Sequence, residues 1–148
     1  MQPLGFPQYN FRFKSRENTR YIFDVIRKKF VVLQPEEWVR QHVIQYLLHD
    51  KGYPMSLINV EKTIRMHGIN KRYDLVVFSP QGEIVLLVEC KAPKIPITQA
   101  TFDQIARYNM ALKARFLLVT NGLEIYCCQM DPIEEKYAFL TQVPDFSR

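Results

Sequence analysis

An apolar stripe that recurs every three to four positions after Pro35 predicts an amphipathic helix. Val39, Val43 and Leu47 fall on one face of that helix. Pro35 suits the first helical turn, where its missing N–H has no partner to lose, and the two acidic residues after it complement the positive end of the helix dipole. Gly52 predicts the end of the helix, because glycine readily adopts the left-handed conformation found there.

Strand-like runs separated by turn residues follow this helix. The run from Ile84 to Val88 is apolar at every position, as expected of a strand that is covered on both faces. Asn121 and Gly122 predict a hairpin turn between the last two runs. The resulting order predicts an α/β domain with a mixed central sheet flanked by helices. The predicted strands are 59–66, 73–78, 83–91, 116–120 and 123–129, with a turn over 67–70 and a second helix over 98–111.

The ends of the chain are less regular. Residues 9–33 alternate imperfectly and predict a hairpin of two short strands with a turn over 15–18, although a helix over 23–30 also fits the pattern. The tail after residue 131 has no readable period. Since the chain shows no repeat and no low-complexity linker, we expect a single domain over 1–148, with an N-terminal extension over 1–33 and a core over 35–130.

Composition argues against a membrane-spanning, a secreted or a zinc-stabilised protein. Hydrophobic residues make up 47% of the chain and charged residues 24%, which is typical of a globular protein. The sequence contains no apolar run long enough for a membrane span, and its first ten residues lack the order of a secretory signal. The three cysteines form a poor disulfide framework and have no zinc-binding spacing, so we expect a cytoplasmic protein without structural zinc.

Positive charge is concentrated near the N-terminus. The net charge is +5, and between Arg12 and Lys29 seven basic residues face only two acidic ones. Such a surface favours a polyanionic partner, although an ordinary solvated basic surface fits the charge equally well.

Ionisable residues at the ends of two apolar strands are the candidate chemistry. Period-two alternation places Glu89 and Lys91 on one face of their strand and Cys90 on the other. Asp74 begins the preceding apolar run, so pairing of the two strands brings Asp74 close to Glu89. An isolated Glu-x-Lys is more often an exposed strand end, and an Asp at this position can simply cap a turn. The joint pattern favours a site, because unpaired charges are costly next to a buried sheet.

Two neighbouring carboxylates repel each other unless a cation neutralises them. Oxygen ligands with open positions suit Mg²⁺, which also takes phosphate oxygens. A protonated lysine such as Lys91 can orient the attacking water and stabilise charge on phosphorus. Asp74, Glu89 and Lys91 therefore predict metal-dependent hydrolysis of a phosphodiester bond.

The same residues carry a family resemblance. Asp74 followed by Leu87–Pro93 resembles the D-x(n)-E-x-K signature of the PD-(D/E)XK nuclease superfamily, and within it the N-terminal nuclease domain of type I restriction enzyme R subunits. The resemblance runs from about Pro35 to Cys128. Tyr73 stands where the superfamily often has a proline. Further matching stretches are 35–41 (PEEWVRQ), 52–54 (GYP) and 102–108 (FDQIARY).

The resemblance implies a restriction-endonuclease-like α-β-β-β-α-β core that cuts DNA with Mg²⁺, for which Mn²⁺ can substitute. It implies that Asp74, Glu89 and the backbone carbonyl of Cys90 bind the metal, and that Lys91 positions the attacking water. R subunits carry ATP-driven motor domains after this region, but the sequence has no phosphate-binding loop of the G-x-x-x-x-G-K-[ST] type, so we expect no motor activity here.

Supporting residues are implied by the same resemblance. It implies a helical glutamate near the metal, and both Glu36 and Glu37 qualify. We favour Glu36, because it is in phase with Val39 and is expected to face inward. Gln104 and Tyr108 lie on one face of the second helix and resemble a Gln-x-x-x-Tyr motif that hydrogen-bonds to the DNA backbone.

The expected partners are DNA and other restriction-modification subunits, with no membrane contact. A non-catalytic DNA-binding or assembly module that keeps the nuclease fold is the alternative, and RNA remains open as a substrate.

Overall fold

A small antiparallel sheet lies at the N-terminus of the computed structural model, which describes residues 1–66 and 68–147. Its strands, in spatial order, are β1 (Phe13–Arg16), β2 (Thr19–Asp24) and β3 (Lys29–Val32). The predicted hairpin is confirmed, with Glu17 and Asn18 at positive φ in its turn. The helical alternative over 23–30 is wrong. Asp24 accepts hydrogen bonds from the backbone N–H groups of Ile26 and Arg27, and these bonds favour a turn there.

The first helix, α1 (Pro35–Gln45), continues into one π-helical stretch over Tyr46–Asp50. Gly52 follows with φ at +71°, as predicted for the residue that ends the helix. The side chains of Val39, Val43 and Leu47 are fully buried, which confirms the predicted apolar stripe.

The main sheet has six strands among the described residues: β4 (Ile58–Met66), β5 (Ile69–Phe78), β6 (Ile84–Cys90), β7 (Phe116–Thr120), β8 (Ile125–Asp131) and β9 (Lys136–Phe139). They lie side by side in the order β4-β5-β6-β7-β8-β9. Strands β6 and β7 are parallel and all other neighbours are antiparallel, so the sheet is mixed as predicted. The pairing of β8 with β9 extends this sheet into the tail that had no readable pattern.

Helices cover both faces of this sheet. α1 packs on one face in a cluster that includes Leu75 and Val88, which we call the α1-side core. The second helix, α2 (Gln99–Tyr108), packs on the other face through Phe102 in a cluster that we call the α2-side core. Leu86 and Leu87 are both fully buried, one in each core, so β6 is covered on both faces as its sequence predicts. The fold is therefore mixed α/β, compatible with a restriction-endonuclease-like architecture.

Two sequence expectations concern the turn over 67–70 and membrane spans. His67 lies outside the described residues, and Gly68 has φ at +76°. In the part of the chain that the structure describes, no helix is long and apolar enough to cross a membrane.

Candidate active site

Asp74 and Glu89 lie at the same end of two paired strands. β5 and β6 are antiparallel with Leu75 opposite Val88, and this register continued by one residue sets Asp74 opposite Glu89. The predicted pairing of the two strands is confirmed.

The side chains of these two carboxylates nevertheless find partners on opposite sides of the sheet. Residues two apart along a strand normally point to the same face of the sheet. Tyr73, however, packs in the α2-side core, and Leu75 packs in the α1-side core. The alternation therefore slips at Asp74. Glu61, which lies across from it in β4, has φ at +53° and is skipped in the strand register. At this irregularity the Asp74 side chain faces α1, where Arg40 binds it.

Asp74 is held by one side chain and one backbone group. Arg40 of α1 donates to its Oδ1 at 2.8 Å, and the backbone N–H of Cys90 donates to its Oδ2 at 2.8 Å. Arg40 also donates to Glu37 at 2.7 Å and is nearly buried, with 8% of its side chain exposed. Burial alone would lower the pKa of Arg40, but the charges of Glu37 and Asp74 outweigh burial and raise it. Arg40 therefore remains charged and neutralises Asp74.

Glu36 and Glu37 have different roles. Glu37 is buried and accepts hydrogen bonds from Arg27, Arg40 and Gln41. Glu36 has 51% of its side chain exposed, so the expectation that it faces inward is wrong. In this first helical turn it is Glu37 that meets the side chains of Arg27 and Arg40, so phase with the apolar stripe does not decide which glutamate is buried.

The charges around Glu36 show where it lies. Its pKa is raised by partial burial and by the negative charge of Asp74, while Arg40 and Lys91 act in the opposite direction. Arg40 lies 3.8 Å from the Glu36 carboxylate. The positive charge of Lys91, the residue after the end of β6, therefore reaches Glu36.

Glu89 pairs with a different cation. Lys71 of β5 forms a close ion pair with Glu89, which is buried. The Lys71 ammonium also lies 5.0 Å from the ring centre of Tyr73 and 5.6 Å from that of Tyr108. Together with Gln104, Ile105 and Tyr108, Lys71 lines an open surface cavity of about 280 Å³. The Gln104–Tyr108 face of α2 is thereby placed beside the Lys71–Glu89 pair.

A comparison with known protein families assigns most of the chain to one family. The family described as type I restriction enzyme R protein N terminus matches residues 35–144, well over half of the chain. The chain belongs to this family. The match begins with the first residue of α1 and includes every candidate site residue. No curated protein sequence matches the chain.

Two basic residues of this R-protein N-terminal domain were missed by sequence reasoning. Arg40 stands four residues after Glu36 on α1, a spacing that signals an ion pair along the helix, but its bond to Asp74 joins two distant segments. Lys71 lies four residues before Leu75, so regular alternation along β5 would put it on the α1 side of the sheet, away from Glu89. The irregularity at Asp74 is what brings Lys71 and Tyr73 to the same face as Glu89.

The donor set of this domain suits a hard divalent cation, because Asp74, Glu89, Glu36 and the Cys90 carbonyl all offer oxygen atoms. The arrangement is closed, however, since Arg40 and Lys71 already pair with the two strand carboxylates. Among the described residues, no group of three or more His, Cys, Asp and Glu side chains is placed to hold a metal ion. An ion that joined Asp74 to Glu89 would have to displace Lys71 and turn the Glu89 side chain.

Proposed function

We propose that this R-protein N-terminal domain is a metal-dependent deoxyribonuclease of the PD-(D/E)XK type, which uses Mg²⁺, or Mn²⁺ in its place, to hydrolyse phosphodiester bonds. The observation that carries the proposal is the position of Asp74 and Glu89 at the shared end of two buried strands, with Lys91 following directly. The matched family is one of restriction enzymes, and in such an enzyme the Asp and the Glu can bind a metal ion while the Lys orients the attacking water.

In this proposal Asp74, Glu89 and the Cys90 carbonyl hold the ion, and Glu36 binds it or its waters. When bound, the ion polarises the phosphodiester and lowers the pKa of a coordinated water. Lys91 orients the attacking water and stabilises the charge that develops on the phosphate.

The remaining residues act on the substrate and on the carboxylates. Arg40 fixes Asp74 through a bond that is anchored in buried contacts with Glu37. Lys71 releases Glu89 and becomes free to contact a phosphate in the cavity that it shares with Gln104 and Tyr108. Gln104 and Tyr108 donate uncharged hydrogen bonds to the DNA backbone, and both are exposed as this role requires.

Plasmid nicking with a divalent ion tests the proposal. Supercoiled plasmid is incubated with Mg²⁺ or Mn²⁺ and the wild type, Lys91→Ala or Lys94→Ala. Lys94 is exposed and close to Lys91 in the chain, so it is a matched control for the loss of one positive charge. We expect metal-dependent nicking that Lys91→Ala abolishes and Lys94→Ala retains. Wild-type protein that never cuts with either ion, or nicking that survives Lys91→Ala, contradicts the proposal.

A second candidate function is a non-catalytic DNA-binding or assembly module of a restriction-modification complex, with DNA and the other subunits as partners. The ion pairs of Arg40 with Asp74 and Lys71 with Glu89 favour it, since they neutralise both carboxylates without a metal. Plasmid binding without cleavage at any divalent ion concentration supports this function. An RNA of matched length in the same assay decides the substrate, and preferential cleavage of RNA contradicts the assignment to DNA.

A further inference from the structure

The small N-terminal sheet presents two different faces. Ile22 and Asp24 of β2 are fully buried and mark the inner face. Because side chains alternate along a strand, Tyr21 and Phe23 point to the outer face. The register adds Lys14 opposite Tyr21 and Phe30 opposite Phe23. We call this outer surface the basic–aromatic face, and its residues are Arg12, Lys14, Arg16, Tyr21, Phe23 and Phe30.

Cations and rings of the basic–aromatic face touch one another. The Arg12 guanidinium lies 4.6 Å from the ring centre of Phe23, and the Lys14 ammonium lies 4.6 Å from that of Phe30. The rings of Phe23 and Phe30 meet edge to face with their centres 5.2 Å apart. All three basic residues are exposed, and the three rings are half-buried.

The three strands of the small sheet carry no exposed acidic side chain. Asp24 is the one acidic residue in the three strands, and it is fully buried. It points inward, where it bonds to Arg27 at 2.7 Å and to Gln41 at 2.8 Å. The strands of the outer face therefore carry positive charge and flat apolar rings, with the exposed Glu17 at its edge in the turn between β1 and β2.

We propose that the basic–aromatic face binds single-stranded DNA, an assignment that rests on the proposed function for its choice of DNA over RNA. Unpaired bases stack on Tyr21, Phe23 and Phe30, and the phosphates between them contact Arg12, Lys14 and Arg16. A DNA duplex offers the aromatic rings no free base to stack on, because its bases are already stacked on one another inside the helix. Stacking is open to every base, so the face holds a strand without reading its sequence.

The basic–aromatic face and the candidate active site are joined by ion pairs. Arg27, in the turn between β2 and β3, bonds to Asp24, to Glu37 at 3.0 Å and to Glu61 at 3.2 Å. Glu37 and Glu61 in turn bond to Arg40, the partner of Asp74. Single-stranded DNA on the basic–aromatic face is therefore bound to a small sheet whose ion pairs connect it to the candidate active site.

Fluorescence anisotropy with labelled oligo(dT) of about 16 nucleotides tests this proposal. The full chain is titrated in EDTA, so that cleavage does not contribute, at about 50 mM salt. The charge variant replaces Arg12, Lys14 and Arg16 with glutamine, and its matched control replaces the exposed Lys113, Arg115 and Lys136 with glutamine. A ring variant, Phe23→Leu with Phe30→Leu, keeps apolar volume but removes the aromatic faces. A thermal unfolding curve confirms that each variant is folded.

We expect the charge variant to weaken oligo(dT) binding about tenfold or more and to flatten its salt dependence, while the control retains most of the affinity. We expect the ring variant to weaken binding about fivefold or more without changing the salt dependence. Oligo(dT) should also bind more tightly than a duplex of the same length.

Three outcomes overturn the proposal. One is an equal loss in the charge variant and its control, which would mean that general charge is responsible. Another is a ring variant, folded, that binds as the wild type does. The third is tighter binding of the duplex or of oligo(U) than of oligo(dT). The binding test contains no metal, so it is independent of cleavage. Oligo(dT) binding by a protein that never nicks plasmid contradicts the proposed nuclease function but leaves the proposed role of the basic–aromatic face intact. Nicking by a protein that does not bind oligo(dT) contradicts the role of the face but leaves the nuclease function intact.

Discussion

Arg40 donates a 2.8 Å hydrogen bond to Asp74 and thereby ties the first helix to the start of the apolar part of β5. The same guanidinium bonds to Glu37 at 2.7 Å and lies 3.5 Å from Glu61. The position of Asp74 thus depends on a buried ionic network as well as on the sheet. Removing Arg40 takes a buried cation away from both Glu37 and Asp74, which is costly in a buried setting.

Arg40→Met should lower the free energy of unfolding by about 3 kcal/mol, because Glu37 and Asp74 lose their shared cation while the side chain keeps its volume. The measurement is urea denaturation. Arg107→Met is the matched control, since Arg107 pairs with Asp103 on the exposed face of α2 with 61% of its side chain exposed. That change should cost less than about 1 kcal/mol. Equal losses in the two variants would contradict a special role for the Arg40 network.

Glu36→Gln and Glu37→Gln should separate activity from stability. Glu36 is exposed and close to Asp74 and Lys91, so its variant should lose metal-dependent nicking and stay within about 0.5 kcal/mol of the wild-type stability. Glu37 is buried among Arg27 and Arg40, so its variant should be destabilised by about 2 kcal/mol. Plasmid nicking and urea denaturation of both proteins are the measurements. Full activity in folded Glu36→Gln argues against its place at the metal.

Lys71→Met should tighten the binding of Mn²⁺, because the Lys71 ammonium competes with a divalent cation for Glu89. Lys71 is partly exposed, which weakens its hold through solvent screening, so we expect a gain of roughly fivefold. Isothermal titration with MnCl₂ measures it. Lys62→Met, at an exposed position of β4, removes an equal charge and should leave the affinity nearly unchanged. If the Mn²⁺ affinity does not rise in Lys71→Met, or rises equally in both variants, Lys71 does not compete with the cation for Glu89.

His42 should make the stability of the domain depend on pH. Burial beside Trp38 and Phe11, with ring centres 4.4 and 4.8 Å away, lowers its pKa below the ordinary 6.5. The unfolded chain then takes up a proton before the folded one does, so stability should fall as the pH drops from 6.5 toward the folded-state pKa.

The measurement for His42 is the unfolding free energy across this pH range. His42→Gln should remove this part of the decline, whereas the control His49→Gln, at an exposed position, should retain it. A decline that is unchanged in His42→Gln assigns the pH dependence to other groups.

The pairing of β5 with β6 could be predicted from sequence because it depends on local signals. Both strands are apolar runs, and the turn residues between them limit the register, so Asp74 and Glu89 had to end near each other. The helix at Pro35 was equally readable from its first turn and its apolar stripe. The third strand of the small sheet and β9 were not, since each is a run of only four residues and lacks the clear turn signal that marked the equally short β1.

The partners of the two carboxylates could not be predicted in this way. The slip at Asp74 coincides with positive φ at Glu61 in the neighbouring strand, which the local residues do not signal. Without the slip, alternation from Leu75 places Lys71 on the α1 side of the sheet, opposite to the side on which Glu89 lies. The ion pairs of Arg40 and Lys71 join segments that are distant in the chain, so they became visible only in the folded structure.

A crystal soaked in Mn²⁺ tests the central claim most directly, because manganese gives an anomalous signal that locates the ion without any assay of activity. The account predicts an anomalous peak between the carboxylates of Asp74 and Glu89, within coordination distance of the Cys90 carbonyl, with Lys71 withdrawn from Glu89. Asp74 still bonded to Arg40 and Glu89 still bonded to Lys71 at saturating Mn²⁺, with no peak between them, would contradict it.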